Sequence, residues 1–207
     1  MSTSQEDFWK NEITERYIED NKYFDLQLGV SAWETILSKI DKSKILSYLD
    51  CGSNIGRNIS ILKKVLPLAS ANIVELAKIP YDQCVKHYQL DNVFLGRLKN
   101  VNFERKFDLV FTSSVLIQIN PDDLLESMNR MFEMSQRYIL IAEYFNRTPV
   151  MINYRGKDDK LFKRDFGKLF VENFDVKILD YGFLWGHVFD DAGFDDITYW
   201  LFEKSDD

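Results

Sequence analysis

The 207-residue sequence holds only two cysteines, Cys51 and Cys84, and two histidines, His87 and His187. So sparse a set forms neither a dense disulfide framework nor the ligand spacing of a metal site, and it predicts buried free thiols and no metal centre. Positive charge is scarce too: 26 Lys and Arg stand against 33 Asp and Glu, a formal net charge of -7. The only basic clusters are short pairs such as Lys63-Lys64 and Lys163-Arg164, so the electrostatic footprint of a nucleic-acid binder is missing. No apolar run approaches membrane-spanning length, and the polar, acidic stretch 1–7 lacks the basic and apolar regions of a secretory signal. A soluble cytoplasmic protein with no membrane partner is expected. With four prolines, nine glycines and no tract rich in either, no linker divides the chain, and 45% hydrophobic content predicts one well-buried domain over 1–207.

What is present is an alternation of periods. Trp9, Ile13 and Tyr17 recur at helical spacing over 7–20, and Ala32, Trp33, Ile36, Leu37 and Ile40 do so behind Ser31 as an N-cap. The irregular stretch 21–29 between them carries Tyr23 and Phe24 and reads as a loop folding over a ligand, so 1–40 is expected to be a helical lid on an α/β core over 45–207. Within that core, strand-like runs at 45–50, 71–75, 92–95, 107–111 and 137–144 alternate with helical patterns, the signature of βαβ units. A polar stretch, 145–161, reads as a long functional loop. Phe162, Phe166, Leu169 and Phe170 mark a last helix, and the runs 176–184 and 197–202, with no helix between them, should pair antiparallel. The expectation is a Rossmann-like α/β fold: a seven-stranded, mostly parallel sheet with an antiparallel terminal strand pair and N-terminal helices.

Ligands of such sheets sit beyond the carboxyl ends of the strands, beside the first. There the chain reads Asp50-Cys51-Gly52-Ser53-Asn54-Ile55-Gly56-Arg57, an apolar strand that ends in an acid and breaks into small residues before a helix. Small residues let a ligand approach the main chain, and N–H groups at a helix start face it. A dinucleotide fingerprint needs glycine at 52, 54 and 57, so Asn54 and Arg57 disfavour a nicotinamide oxidoreductase. Glu75 ends the second strand, and its two acceptor oxygens match a pair of vicinal hydroxyls.

The spacing acid-x-Gly-x-x-x-Gly resembles motif I of class I S-adenosylmethionine (SAM)-dependent methyltransferases, an acid followed by G-x-G-x-G, with Asn54 at the middle glycine. Glu75 falls where that superfamily places its ribose-binding carboxylate. Longer stretches, namely Phe8-Trp9 with Tyr17-Ile18, the loop 114–124, the run 143–156 that contains Asn153-Tyr154-Arg155-Gly156, and 159–166, resemble the pseudaminic acid biosynthesis-associated methylase family. The resemblance implies a methyltransferase acting on a sugar or sugar nucleotide in a nonulosonic-acid or surface-glycan pathway. It implies SAM held by Asp50, Gly52, Ser53, Asn54 and Gly56, by Glu75 at the ribose, and by Gly96, Leu98, Ser114 and Val115 around adenine. Where many relatives carry His after the fourth strand, this chain has Gln118, which is no base at neutral pH.

Methyl transfer is an in-line displacement, so the protein chiefly positions the acceptor, and a carboxylate or tyrosine near the nucleophile assists. Tyr154, Glu143 and Asp159 are the catalytic candidates. Tyr144, Arg155, Lys160, Arg164, Gln118 and Tyr23 are the substrate-binding candidates, with Arg155 suited to a carboxylate or phosphate. A SAM-binding partner of a glycan-pathway enzyme, without turnover, is the alternative reading.

Overall fold

The computed structural model describes residues 3–12 and 14–205, with Asp159 described by its backbone alone. Ile13, expected on the first helix, lies outside the described residues. The chain begins with α1 (Ser4–Asp7), whose Thr3 side chain accepts from the Glu6 N–H while the Glu6 carboxylate accepts from the Thr3 N–H. A π-helical turn (Phe8–Glu12), in which Phe8 and Trp9 are buried, and α2 (Thr14–Asn21) follow. Helix α3 (Leu26–Ile36) starts well before Ser31, because Asp25 Oδ1 accepts from the Leu28 N–H at 2.9 Å and caps the helix there. Of the expected lid loop, 22–25 with Tyr23 and Phe24 stays irregular, while 26–29 belongs to α3.

The core runs β1 (Ser47–Cys51), α4 (Arg57–Val65), β2 (Ser70–Glu75), α5 (Lys78–His87), β3 (Asn92–Leu95), β4 (Phe107–Ser113), α6 (Pro121–Met134) and β5 (Ser135–Glu143). A hairpin of β6 (Val150–Tyr154) and β7 (Lys157–Lys163) comes next, then α7 (Phe166–Asn173), β8 (Val176–Leu184), the short α8 (Gly186–Phe189) and β9 (Ile197–Lys204). The main sheet has the order β3-β2-β1-β4-β5-β9-β8. Its first five strands are parallel, and β9 lies antiparallel between β5 and β8. The seven-stranded, mostly parallel architecture with an antiparallel terminal pair and N-terminal helices is thus present.

Alternate residues of the central strands feed two apolar layers. Tyr48, Ile73 and Phe111 pack with Trp33, Ile36, Ile59 and Leu62 on one face, and Leu49, Val74, Val110 and Ile139 pack with Met128, Met131, Phe166 and Phe170 on the other. Burial on both faces is what a central parallel strand requires. The strand order reverses between β1 and β4, which opens a crevice at their carboxyl ends.

Two expectations fail in the second half. The stretch 145–161 is mostly hairpin, turned by Arg155 (φ 51°) and Gly156 (φ 80°), both left-handed. Phe162 belongs to β7, and α7 starts only after Asp165, whose side chain accepts from the Lys168 N–H. The hairpin is fastened to the N-terminal segment: Tyr154 stacks on Trp9 at 5.7 Å, and Arg155 and Lys157 pair with Asp20 and Glu12. Together they roof the crevice.

Candidate functional site

Strand β1 delivers the chain into a turn of three left-handed residues, Gly52 (φ 100°), Asn54 (φ 47°) and Gly56 (φ 88°), before α4 begins. Asparagine is among the non-glycine residues best suited to that region, so Asn54 keeps the path a middle glycine would give. A side chain at Gly52 would be strained: a Cβ there would stand 2.4 Å from Val115 Cγ2, on the loop after β4. The two loops meet backbone to side chain and form the floor of a cleft.

Glu75 is clamped at the cleft wall. One carboxylate oxygen accepts from the Asn54 N–H and the other from the Ala77 N–H, both at 2.8 Å, so the carboxylate joins the turn to the start of α5. Each oxygen keeps a further lone pair. Burial pushes its carboxyl above the usual range, opposed by those N–H groups. Gly52, Ser53, Asn54, Glu75, Gly96, Leu98, Ser114 and Val115, all expected around a cofactor, line this one cleft. Asp50 and Gly56 do not; they stand behind its wall and shape the turn.

Asp50 is buried, and among the described residues neither carboxyl oxygen has a hydrogen-bond partner. Burial, with the neighbouring Glu75, pushes its pKa up to about 8. In the unfolded chain the group ionises near 3.8. The fold therefore holds a proton that the unfolded chain releases, and stability falls as pH rises between those values. Asp50→Asn removes this penalty. Thermal melts of the ligand-free protein should show the variant more stable at pH 8, by on the order of 1–4 kcal/mol, and the gap closing towards pH 4; an unchanged gap across that range would contradict the protonated buried state.

Glu143, a catalytic candidate in the sequence, anchors a loop in the fold. It is wholly buried and lines neither cleft. Its oxygens accept from the Val115, Leu116 and Ile117 N–H groups at 3.0, 3.0 and 3.3 Å, which bends the loop after β4. Gln118 finishes that loop, donating from Nε2 to the Ser114 carbonyl at 2.7 Å.

A second cleft, of about 670 Å³, joins the first and shares Trp9, Tyr17, Asn21, Arg57, Ser114 and Gln118 with it. Tyr144, Tyr154, Arg155 and the exposed Tyr23, named above as substrate-binding candidates, line it. The Tyr144 hydroxyl donates to Asp195 at 3.3 Å, and burial raises its pKa. Of the three expected cations only Arg155 lines the cleft. Arg155 is paired with Asp20, Lys160 is buried with Nζ donating to the Ser4 carbonyl and hydroxyl, and Arg164 lies over the Phe166 ring. The expected grouping of Arg155, Lys160 and Arg164 around an anion is therefore not formed, because ion pairing and the roof consume it. Asp159's side chain lies outside the described residues.

Sequence reasoning passed over three residues at the junction of the clefts. Trp9 and Tyr17 contribute rings from the roof, 5.4 Å apart and edge to face. Arg57, the first residue of α4, counted in the sequence only as a missing glycine; its position one step past the turn was the signal that it faces the same edge. Its guanidinium lies on the backbone of Gly193, which is left-handed (φ 78°) and where a Cβ would fall 1.8 Å from Nη1. His87 and His187 are exposed and line neither cleft. Among the described residues no three His, Cys, Asp or Glu side chains converge as a metal site, and no helix is long and apolar enough to cross a membrane.

No family model and no curated protein sequence matches this chain. Solved structures do match its fold. The magnesium protoporphyrin IX methyltransferase of Synechocystis PCC 6803, with SAM bound, is 12% identical, with 99% of each chain covered and a TM-score of 0.68. The O-methyltransferase of a Brevibacillus brevis trans-AT polyketide multienzyme, in complex with S-adenosylhomocysteine (SAH), is 9% identical over 99% of this chain and 80% of its own, with a TM-score of 0.66. The 1,6-didemethyltoxoflavin-N1-methyltransferase of Burkholderia thailandensis, with its substrate and SAH bound, is 12% identical over 87% of this chain and 78% of its own, with a TM-score of 0.64. At such identities the likeness is one of fold.

Proposed function

We propose that this chain is a SAM-dependent methyltransferase acting on a small, sugar-type acceptor in a glycan or nonulosonic-acid pathway. The observation that carries the first half is the pairing of the left-handed Gly52–Asn54–Gly56 turn with a Glu75 carboxylate clamped onto it, at the switch point of a sheet whose solved likenesses bind SAM or SAH. The cleft fits the cofactor chemically. Gly52 adds no side chain of its own to the floor, where Val115 packs against it, the Glu75 oxygens keep lone pairs for two ribose hydroxyls, and Leu98 and Val115 offer apolar walls to an adenine. Ser53, Asn54, Gly96 and Ser114 complete the contact set, with Asp50 and Gly56 supporting the turn from behind.

When bound, SAM supplies a methyl group made electrophilic by its sulfonium. The chain's own part is orientation. Glu143 fixes the loop that carries Ser114 to Gln118, the Trp9 and Tyr17 rings shield the junction from water, and Tyr154 and Tyr144 line the acceptor side. Tyr144, hydrogen-bonded to Asp195, is the residue in this cleft best placed to relay a proton outward. The sugar-type acceptor rests on the family resemblance of the hairpin and its flanks.

The test is a mass-spectrometric screen of free and nucleotide-activated sugars with SAM. A gain of one methyl in any of them, with SAH formed in equal amount, supports the proposal. SAH binding without methyl gain across the panel favours a cofactor-binding partner without turnover, a reading that the anchored Glu143 and the amide at Gln118 also permit.

A further inference from the structure

The fold keeps a seat open for Arg57, the first residue of α4 and a lining residue of both clefts where they meet. Its guanidinium lies 5.9 Å from the centre of the Phe194 ring and against the Gly193 backbone. Phe194 is sunk in the core, and Gly193 is left-handed (φ 78°), where a Cβ would fall 1.8 Å from Nη1. No protein group answers the charge. Nε is buried without a hydrogen-bond partner, and among the described residues Arg57 makes no ion pair, with the aspartates of 190–195 included. The titratable groups that bear on it are Tyr17, Asp50 and Tyr144. Burial raises both phenols, and Asp50 is held protonated below about pH 8, so all three are chiefly neutral at pH 7. A buried guanidinium without a counter-charge is costly, and the seat is suited to an anion that arrives with a ligand.

Resting on the methyltransferase reading, we infer that Arg57 selects the cofactor by its amino-acid tail: the guanidinium takes the tail's carboxylate, and Gly193 makes the room that holds it there. Gly96, Leu98 and Glu75 line the first cleft alone, whereas Arg57 stands at the junction with the second. With the base beside Leu98 and the ribose on Glu75, the part of SAM or SAH that remains for the junction is the 5′ chain, and its carboxylate is the one anion either molecule carries. Arg57 directly follows the turn whose Asn54 N–H is bound to Glu75, so ribose and tail are read by one short run of chain. An adenosyl thioether without that carboxylate leaves the guanidinium buried and unanswered, and the site rejects it by that cost.

The test is calorimetric titration of the full chain with two probes, SAH and its decarboxylated analogue 5′-deoxy-5′-(3-aminopropylthio)adenosine, which keeps base, ribose, sulfur and amine. The wild-type protein should prefer SAH by about 10- to 100-fold, the range of a charge-assisted pair. Arg57→Gln should bring SAH down to the level of the analogue, while the analogue itself changes by less than about threefold. Gly193→Ala, in which the guanidinium must leave its seat, should erase most of the same preference. Circular dichroism confirms that each variant is folded, and Arg57→Gln decides alone if the alanine variant is not. The inference is overturned if the wild-type protein binds the two probes alike, or if Arg57→Gln weakens both equally, as a merely structural residue would. It is also overturned if either folded variant keeps the preference for SAH. Failure of both probes to bind the wild-type protein would instead sink the methyltransferase reading, so the two failures are separate.

Discussion

On the proposed methyltransferase reading, Glu75→Ala should lower the affinity of the protein for SAH by about 100- to 1000-fold. The carboxylate has two tasks in one place. It satisfies the Asn54 and Ala77 N–H groups, each a charge-assisted bond worth about 1.5–3 kcal/mol, and in the proposed reading its remaining lone pairs serve the ribose. Truncation orphans two buried donors, loosens the turn at Asn54 and removes the hydroxyl acceptors together, so the loss exceeds that of one hydrogen bond. Glu75→Gln keeps the volume but has one acceptor oxygen, and its NH₂ faces an N–H donor; its affinity should fall between the two. Calorimetric titration of SAH, with circular dichroism to confirm folding, checks both. Wild-type affinity in the alanine variant would remove Glu75 from the cofactor site.

Glu143→Ala costs stability before it costs chemistry. Three N–H groups, from Val115, Leu116 and Ile117, converge on this buried carboxylate. Removing it leaves three N–H groups, two of them in buried contacts, without their acceptor, a loss of about 3–5 kcal/mol, or about 10 °C in melting temperature for a chain of this size. Glu143→Gln keeps one acceptor oxygen and should lose less. A group that moved protons in the reaction would behave the opposite way: its amide variant would melt like the wild type and lose turnover. Thermal melts beside initial rates separate the two roles.

These two acids show how far the sequence reads. Both end buried strands on the same sheet edge, and the pattern places both there correctly. Which way each carboxylate turns depends on the loop it meets, and that loop is positioned by distant elements. Glu75 meets the turn at Asn54 and stays on the cleft, whereas Glu143 meets the N–H groups of 115–117 and is sealed away. The parallel sheet was legible because its strands are apolar runs bounded by helical periods, and α6 because Pro121 opens it behind Asn120. The hairpin was not, since β7 begins Lys157-Asp158-Asp159-Lys160 with no apolar alternation, and it is held by ion pairs and by Trp9. The N-cap of α3 was misplaced because Ser31 and Asp25 are equally good caps by residue type, and the Asp25 backbone N–H is further fixed by the Asp191 carbonyl, a contact 166 positions on. Arg57 escaped notice because a motif compares residues with glycines, while its role comes from the room left at Gly193.

The measurement that bears most directly on the central claim is a calorimetric titration of the wild-type protein with SAH, run beside one with NAD. The cleft built by Gly52, Asn54, Glu75 and Val115 predicts one SAH bound per chain and no heat from NAD; binding of NAD with none of SAH would contradict it.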